Sequence, residues 1–322
     1  MLVYLTRRLF WLVITLLVIT AITFVIYFVL PPVSPAVLFA GKEATPQLVA
    51  TVQHELGLDH PVWVQYLLFL KHLVLGDQFG WPGLGFSYVN HSSVKSLLAG
   101  RVVVTLVLAV GAALLWLAMG ITIGVISAIR QRSVWDRLAL GFAIFFISAP
   151  VFWLGLVLLW VFWYKLGVAA GTGYFPPGQY GLLTWLDHMI LPWFTLALLY
   201  AGWYARMTRG AVLDTLRQDY VRTAQAKGLA DRLVIGKHAL KNALISVVTV
   251  IGLQIGALLG NTIITESLFA LPGVGRLMID SVFSRDFFVV QGVILFLAVG
   301  YVVANLVVDI LYSYLDPRIR VH

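Results

Sequence analysis

Apolar residues in this chain run for long stretches without a regular polar face. Six such runs, near 9–30, 102–129, 138–164, 189–205, 243–265 and 288–314, fall in or close to the range of about 17–25 residues that carries an α-helix across a ~30 Å hydrocarbon layer. They predict an all-α, polytopic membrane protein with six transmembrane helices in a single transmembrane domain covering 1–322. The first run is too long for the apolar region of a secretory leader and is followed by no small-residue cleavage site, so it is expected to be a retained first helix.

The polar intervals are unequal. The interval 31–100 holds two helix-like stretches. Thr45 can cap one that starts at Pro46 and ends before Gly57, and Pro61 opens a second that stops at Gly76. Proline at the first helical position and glycine just past the end is the expected asymmetry. The second stretch, PVWVQYLLFLKHLVL, is apolar but short for a span, which suits an interfacial or packed helix. The interval 165–188 is rich in glycine and proline and has no periodicity. Pro150 lies inside the third run and is expected to kink it.

Composition agrees with lipid as the main solvent: 61% of residues are hydrophobic and 11% charged, against about a quarter charged in soluble domains. There is no cysteine, which removes disulfides, thiolate metal sites and thiol nucleophiles. The net charge of +8 raises a nucleic-acid reading, but the placement of the charge decides against it. With the N-terminus inside, the inner side holds Arg7, Arg8, Arg130, Arg132, Arg137, Arg206, Arg209, Arg217, Arg222, Lys227, Arg232, Lys237, Lys241, Arg318 and Arg320, which is 15 of the 22 basic residues. That bias is the positive-inside signature, and it predicts both termini in the cytoplasm and 31–100 outside the cell membrane.

Glycines recur at four-residue spacing in the fifth run (Gly252, Gly256, Gly260), and Gly120, Gly124 and Ala128 repeat the pattern in the second. Such a row lets another helix approach closely. Internal packing and a subunit interface are both open readings. Glu266 follows the fifth run, with Asn261 and Gln254 before it on the same helix. Lining of a translocation pathway is one reading of the three, and a structural cap or loop contact is the favoured one for Glu266. His54, His60, His72 and His91 lack the three- or four-residue spacing of helical metal ligands, and no catalytic constellation can be assembled, so no metal, bound cofactor or enzymatic activity is expected.

The segment 207–242 lies between two apolar runs and is basic and amphipathic. Leu213, Leu216, Tyr220 and Ala224 are expected to share one helical face, Gly228 to sit in a left-handed C-terminal cap, and Asp231 to cap the next helix. The residues alone allow two readings, a helix lying on anionic headgroups and a docking element for a cytosolic partner.

This segment resembles the EAA loop of ABC-importer permeases, whose pattern is E-A-A, three residues, Gly, nine residues, I-x-L-P. Anchored on Gly228, the first triplet is Arg222-Thr223-Ala224, and His238, Leu240 and Lys241 take the last positions, so the Glu and the Pro are absent. Asp219-Tyr220-Val221-Arg222-Thr223-Ala224, Ala226-Lys227-Gly228-Leu229 and His238-Ala239-Leu240 are similar to the variant in dipeptide/oligopeptide-type permeases. The resemblance extends over nearly the whole chain, through Tyr4-Leu5, Gly57-Leu58-Asp59, Gly76-Asp77, Ser148 with Pro150, Arg206 with Arg209, Pro272-Gly273, Asp286, Asn305, Asp309 and Asp316-Pro317-Arg318. The long outer segment resembles the B-type subunit.

The resemblance implies a type I permease core, with Arg222, Thr223, Ala224, Ala226, Lys227, Gly228 and His238 coupling to ATPases. It further implies a homologous C-type permease, two cytosolic ABC ATPases carrying ATP and Mg, and an extracytoplasmic substrate-binding protein as partners. The chain itself has no G-x-x-x-x-G-K-[ST] loop. The implied cargo is peptides, with nickel complexes, glutathione-like peptides or oligosaccharides as alternatives in the same class. An ion-coupled secondary transporter is the alternative from another class, and it would need repeats or midplane charges that the sequence does not show.

Overall fold

A computed structural model describes residues 2–30, 34, 36–37, 45–55, 57–87, 89–230 and 233–315. The chain divides into two compact units, Met1–Thr105 with Pro272–Val303, and Leu106–Leu271 with Ala304–His322.

In the first unit, α1 spans Leu2–Phe24 and continues as a π-helical turn over Val25–Val29. The two short helices expected in 31–100 are present as α2, Pro46–Glu55, and α3, Val62–Leu75. Thr45 accepts the Leu48 N–H at 3.2 Å, and Gly57 and Gly76 take positive φ of 59° and 95° past the helix ends. At ~1.5 Å per residue α3 is about 21 Å long, short of a span. Phe24 and Tyr66 bring α1 and α3 together, with ring centroids 5.3 Å apart, while Trp63, Val74 and Leu75 remain exposed.

A two-residue hairpin, β1 Phe86–Ser87 against β2 Ser92–Ser93, precedes α4, Val94–Ile129. The helix α11, Val274–Ser284, and the helix α12, Phe287–Leu315, follow much later in the chain. The core of this unit is Val52, Val94, Leu98, Val274, Leu277, Phe288 and Val289 with neighbours. Asp286 sits buried just before α12 and accepts hydrogen bonds from Ser87 Oγ and from Asn90 Nδ2, the latter at 2.9 Å. These bonds tie the hairpin to the α11–α12 junction.

The second unit takes α4 from Leu106 onward, then α5, Val134–Ser148, and α6, Val151–Leu158, extended by a π-helical stretch over Leu159–Lys165. A single turn, α7, Pro177–Tyr180, leads into α8, Leu182–Leu216. Then come α9, Asp219–Ala226, a π-helical stretch Val234–Leu240, and α10, Lys241–Leu268.

Among the described residues four helices are long and apolar enough to cross a membrane, and α5 with α6 can count as a fifth span bent by 112°. The 28-residue α10 occupies the place of the remaining expected span. The bend is much sharper than a proline kink. Ala149 and Pro150 both leave helical geometry, with ψ of 127° and 140°, so the chain breaks between α5 and α6. Helix α8 also outruns its apolar stretch, starting seven residues before 189 and ending eleven after 205.

Glycines hold α8 against its neighbours. A Cβ on Gly120 would lie 2.5 Å from Tyr204 Cβ, and one on Gly124 would lie 2.6 Å from the Ala205 carbonyl oxygen. These are α4–α8 contacts, so this small-residue row serves packing inside the chain. On another side of α8, a Cβ on Gly202 would meet the Ala143 carbonyl of α5 at 2.9 Å.

Candidate functional site

Helix α8 ends at Leu216, and Gln218 N–H turns back to the Thr215 carbonyl at 3.1 Å. Helix α9 then restarts at Asp219, an acidic residue at the positive end of its dipole. The break resets the helical phase. Leu213 and Leu216 belong to α8 and pack around Ala128, Val212 and Ala243. The face that α9 buries is Val221 and Ala224, three residues apart, against Val234 and Leu216. The single apolar face expected over Leu213, Leu216, Tyr220 and Ala224 therefore does not form. Tyr220 is exposed, and its Oη accepts a hydrogen bond from Asn242 Nδ2 at 2.7 Å, which fastens α9 to the start of α10.

The end of α9 has the geometry that its glycine anticipates. Gly228 has φ of +74°, and Leu229 N–H reaches back to the Ala224 carbonyl at 3.4 Å. This is the six-to-one bond of a Schellman cap. Gly228 supplies the left-handed conformation that a Cβ makes costly, so the helix stops at a fixed place.

The cap and the buried Val221–Ala224 face leave the opposite surface presented outward. Arg222, Thr223, Ala226, Lys227 and Gly228 are all exposed. Arg222 lies 4.0 Å from Asp219, an exposed pair that contributes little to stability. Ala224 is the exception among the sequence-predicted residues, because its small size serves packing within the chain. His238 lies in the π-helical stretch, and its side chain is outside the described residues, as is Asp231.

The other predicted residues lie on α10. Gln254 and Asn261 are half-buried and seven residues apart, which puts them on one face, and Asn261 Nδ2 donates to Tyr200 Oη of α8 at 3.0 Å. Glu266 is within α10 and fully enclosed, rather than following the helix at a solvated boundary. In the glycine row of α10, Gly256 is half-buried, while Gly260 is exposed with no described atom within 4 Å of a Cβ built on it. Unlike the α4 row, the face at Gly260 has no partner within the described chain. Among the described residues no three His, Asp or Glu side chains converge on a metal-sized site.

One cluster escaped the sequence reading. Asp136, in the first turn of α5, is 4% exposed. Arg209 of α8 grips both of its oxygens, with Nε–Oδ1 at 2.7 Å and Nη2–Oδ2 at 2.9 Å. Ser127 Oγ and the Arg132 N–H complete the shell, the latter at 2.9 Å. Ser133 caps α5 by accepting the Asp136 N–H at 3.3 Å. The Ser133-x-x-Asp136 spacing is that of a capping box and was the available signal. The acidic side chain turns to the arginine instead of to the cap backbone.

Residues 120–321 match the family described as binding-protein-dependent transport system inner membrane component, and residues 1–109 match its N-terminal companion family. The chain is 39% identical over 340 residues to the dipeptide transport system permease protein DppB of Alkalihalophilus pseudofirmus, covering 99% of this chain and 100% of that protein. It is 39% identical over 320 residues to the glutathione transport system permease protein GsiC of Salmonella paratyphi A, covering 99% of each. It is also 39% identical over 305 residues to a putative peptide transport system permease protein of Brucella abortus, covering 95% of each.

Proposed function

The chain belongs to the family of binding-protein-dependent transport system inner membrane components, and on that premise we propose that it is the B-type permease of an ATP-driven importer that carries peptides across the cell membrane. The names of its relatives, a dipeptide permease and a glutathione permease among them, support peptides as the cargo class. The chain is a transport subunit and not an enzyme. ATP and Mg act on two partner ATPases, a second homologous permease completes the pathway, and an extracytoplasmic binding protein delivers the cargo. Both termini and α9 face the cytoplasm, in line with the basic residues around α9.

The observation that carries this reading is the build of α9. A helix of eight residues is too short to persist alone in water. Here it is held by the Val221–Ala224 face, the Tyr220–Asn242 bond and the Gly228 cap, and it still presents an outward surface. A helix fixed in this way can be pushed as a rigid body by a partner, whereas a loose loop would absorb the displacement. Nucleotide binding on the ATPases supplies the differential energy between inward- and outward-open states, and α9 delivers it to the spans.

Co-purification of the ATPases with variants of this chain tests the reading. Gly228→Asp weakens the cap and adds a charge. Ala226→Glu keeps the cap and changes only the exposed surface. Both are expected to leave the subunit in the membrane, to lose ATPases and to abolish uptake. Normal uptake with ATPases retained in both would leave α9 as a surface-lying helix and defeat the coupling role.

A further inference from the structure

The Asp136–Arg209 pair lies outside α9, yet it sits where α9's support begins. Arg209 is eight residues before the break at Arg217, about 12 Å along the α8 axis. Asp136 lies in the first turn of α5, just past the turn that joins it to α4, and Ser127 at the end of α4 bonds to the same carboxylate. One side chain thus joins the end of α4 and the start of α5 to α8, two turns before α8 ends.

The packing along α8 gives this gathering a mechanical meaning. Asp136 meets Arg209, and seven residues further along α5 Ala143 meets Gly202, seven residues back along α8. The two helices therefore run antiparallel in register, with contacts two turns apart. On its other side, α8 runs parallel to α4, with Gly120 against Tyr204 and Gly124 against Ala205 and Thr208. These backbone-distance contacts prevent α8 from sliding past α4 or α5 without parting them. The glycine contacts reach Arg209 itself, whose backbone nitrogen would lie 3.1 Å from a Cβ on Gly124, and at that level the bidentate pair adds a polar link from α8 to α5. The two parallel bonds fix direction as well as distance. Beyond the pair, Ala128 of α4 and Val212 of α8 continue the same junction into the cluster that supports α9.

We propose that Asp136 and Arg209 are positioning residues for transport. They clamp the start of α5, and through Ser127 the end of α4, to the last third of α8, so that a displacement delivered at α9 reaches α4 and α5 instead of being lost as bending of α8. The inference rests on the coupling role of α9 proposed above. A largely enclosed pair of this kind is a poor source of net stability, since hydrophobic replacements often do as well. Its value here is a fixed geometry.

The test uses the full importer, with both permeases and both ATPases, reconstituted in vesicles with its binding protein and a dipeptide cargo. Arg209→Gln leaves the buried Asp136 carboxylate uncompensated, and Asp136→Asn leaves the half-buried Arg209 without its charge partner. Arg209→Lys keeps the charge but cannot form both bonds. The double variant Asp136→Asn/Arg209→Gln removes both charges. The readouts are ATPase retention and cargo moved per ATP hydrolysed.

With retention intact, the single variants are expected to lose at least tenfold in cargo per ATP, Arg209→Lys to fall between, and the double variant to recover several-fold over either single. Wild-type cargo per ATP in the single variants would overturn the clamp. So would loss of the ATPases or of the inserted subunit in all variants alike, because the pair would then serve assembly only. Failure of the α9 reading looks different: Gly228→Asp, which touches no clamp residue, would then keep ATPases and transport whatever Arg209→Gln does.

Discussion

Replacing a glycine by leucine separates the two small-residue rows. At Gly124 the first added carbon would stand 2.6 Å from the Ala205 carbonyl oxygen, 2.7 Å from Thr208 Cβ and 3.1 Å from Arg209 N. Two of these atoms belong to backbone and the third is fixed to it, so no rotamer change relieves the clash. Bringing the Cβ to ordinary contact parts α4 from α8 by roughly 0.8 Å, before the rest of the isobutyl group is placed. Overpacking of this kind costs about 1–3 kcal/mol, and a forced backbone separation belongs at the upper end. The gain in helix propensity on leaving glycine returns about 1 kcal/mol at most. The net loss is about 2 kcal/mol or more, a fall of roughly 3 °C in melting temperature for a chain of this length.

At Gly260 the first added carbon has no described atom within 4 Å, and the isolated subunit should melt within about 0.5 kcal/mol of wild type. Thermal unfolding of the purified chain in detergent reads both. Gly260→Leu is expected instead to weaken capture of the second permease, since its face is unfilled within the chain. A wild-type melting temperature for Gly124→Leu, or an equal loss for Gly260→Leu, would refute the division of the rows into one internal and one outward.

The Gly228 cap gives a graded series. Gly228→Ala puts a Cβ into a left-handed backbone at about 1–2 kcal/mol, which predicts ATPase retention weaker by about 5- to 30-fold. Gly228→Asn, a residue that visits this conformation more readily, should lose less, and equal retention in both would remove the cap from the argument. Topology is open to labelling because the chain has no native cysteine. A cysteine at Ser92 is expected to react with an impermeant thiol reagent in intact cells and one at Ala230 is not, and labelling at Ala230 would reverse the orientation.

The elements set by local chemistry were legible in the sequence. Thr45 with Pro46 and Gly57, and Pro61 with Gly76, bound two short helices where expected, because caps and positive φ are decided within a few residues. Gly228 belongs to the same class. Hydropathy likewise located the spans, since lipid demands apolar length.

What was not legible depends on contacts far apart in the chain. The run from 189 to 205 could not show that α8 continues to Leu216, because Arg206 and Arg209 look like the start of a polar loop until Asp136 is seen to meet Arg209. The proline at 150 announced a bend, but not that Ala149 would also leave helical geometry. Glu266 looked like a boundary residue, and its burial follows from how α10 packs. Ala224 and Ala226 look alike in sequence, and only the break at Arg217–Gln218 decides which of them faces inward.

The central claim is that the outer surface of α9 is where the ATPases attach. Single cysteines at Thr223 and Ala226, both exposed, with Ser92 of the interval expected outside the membrane as control, can each be joined by a short thiol-to-amine cross-linker within the assembled importer. The account predicts a permease–ATPase adduct from Thr223→Cys and Ala226→Cys, diminished when nucleotide changes the ATPase state, and none from Ser92→Cys. Absence of adduct from both α9 positions while the ATPases remain bound, or an equal adduct from Ser92→Cys, would contradict it.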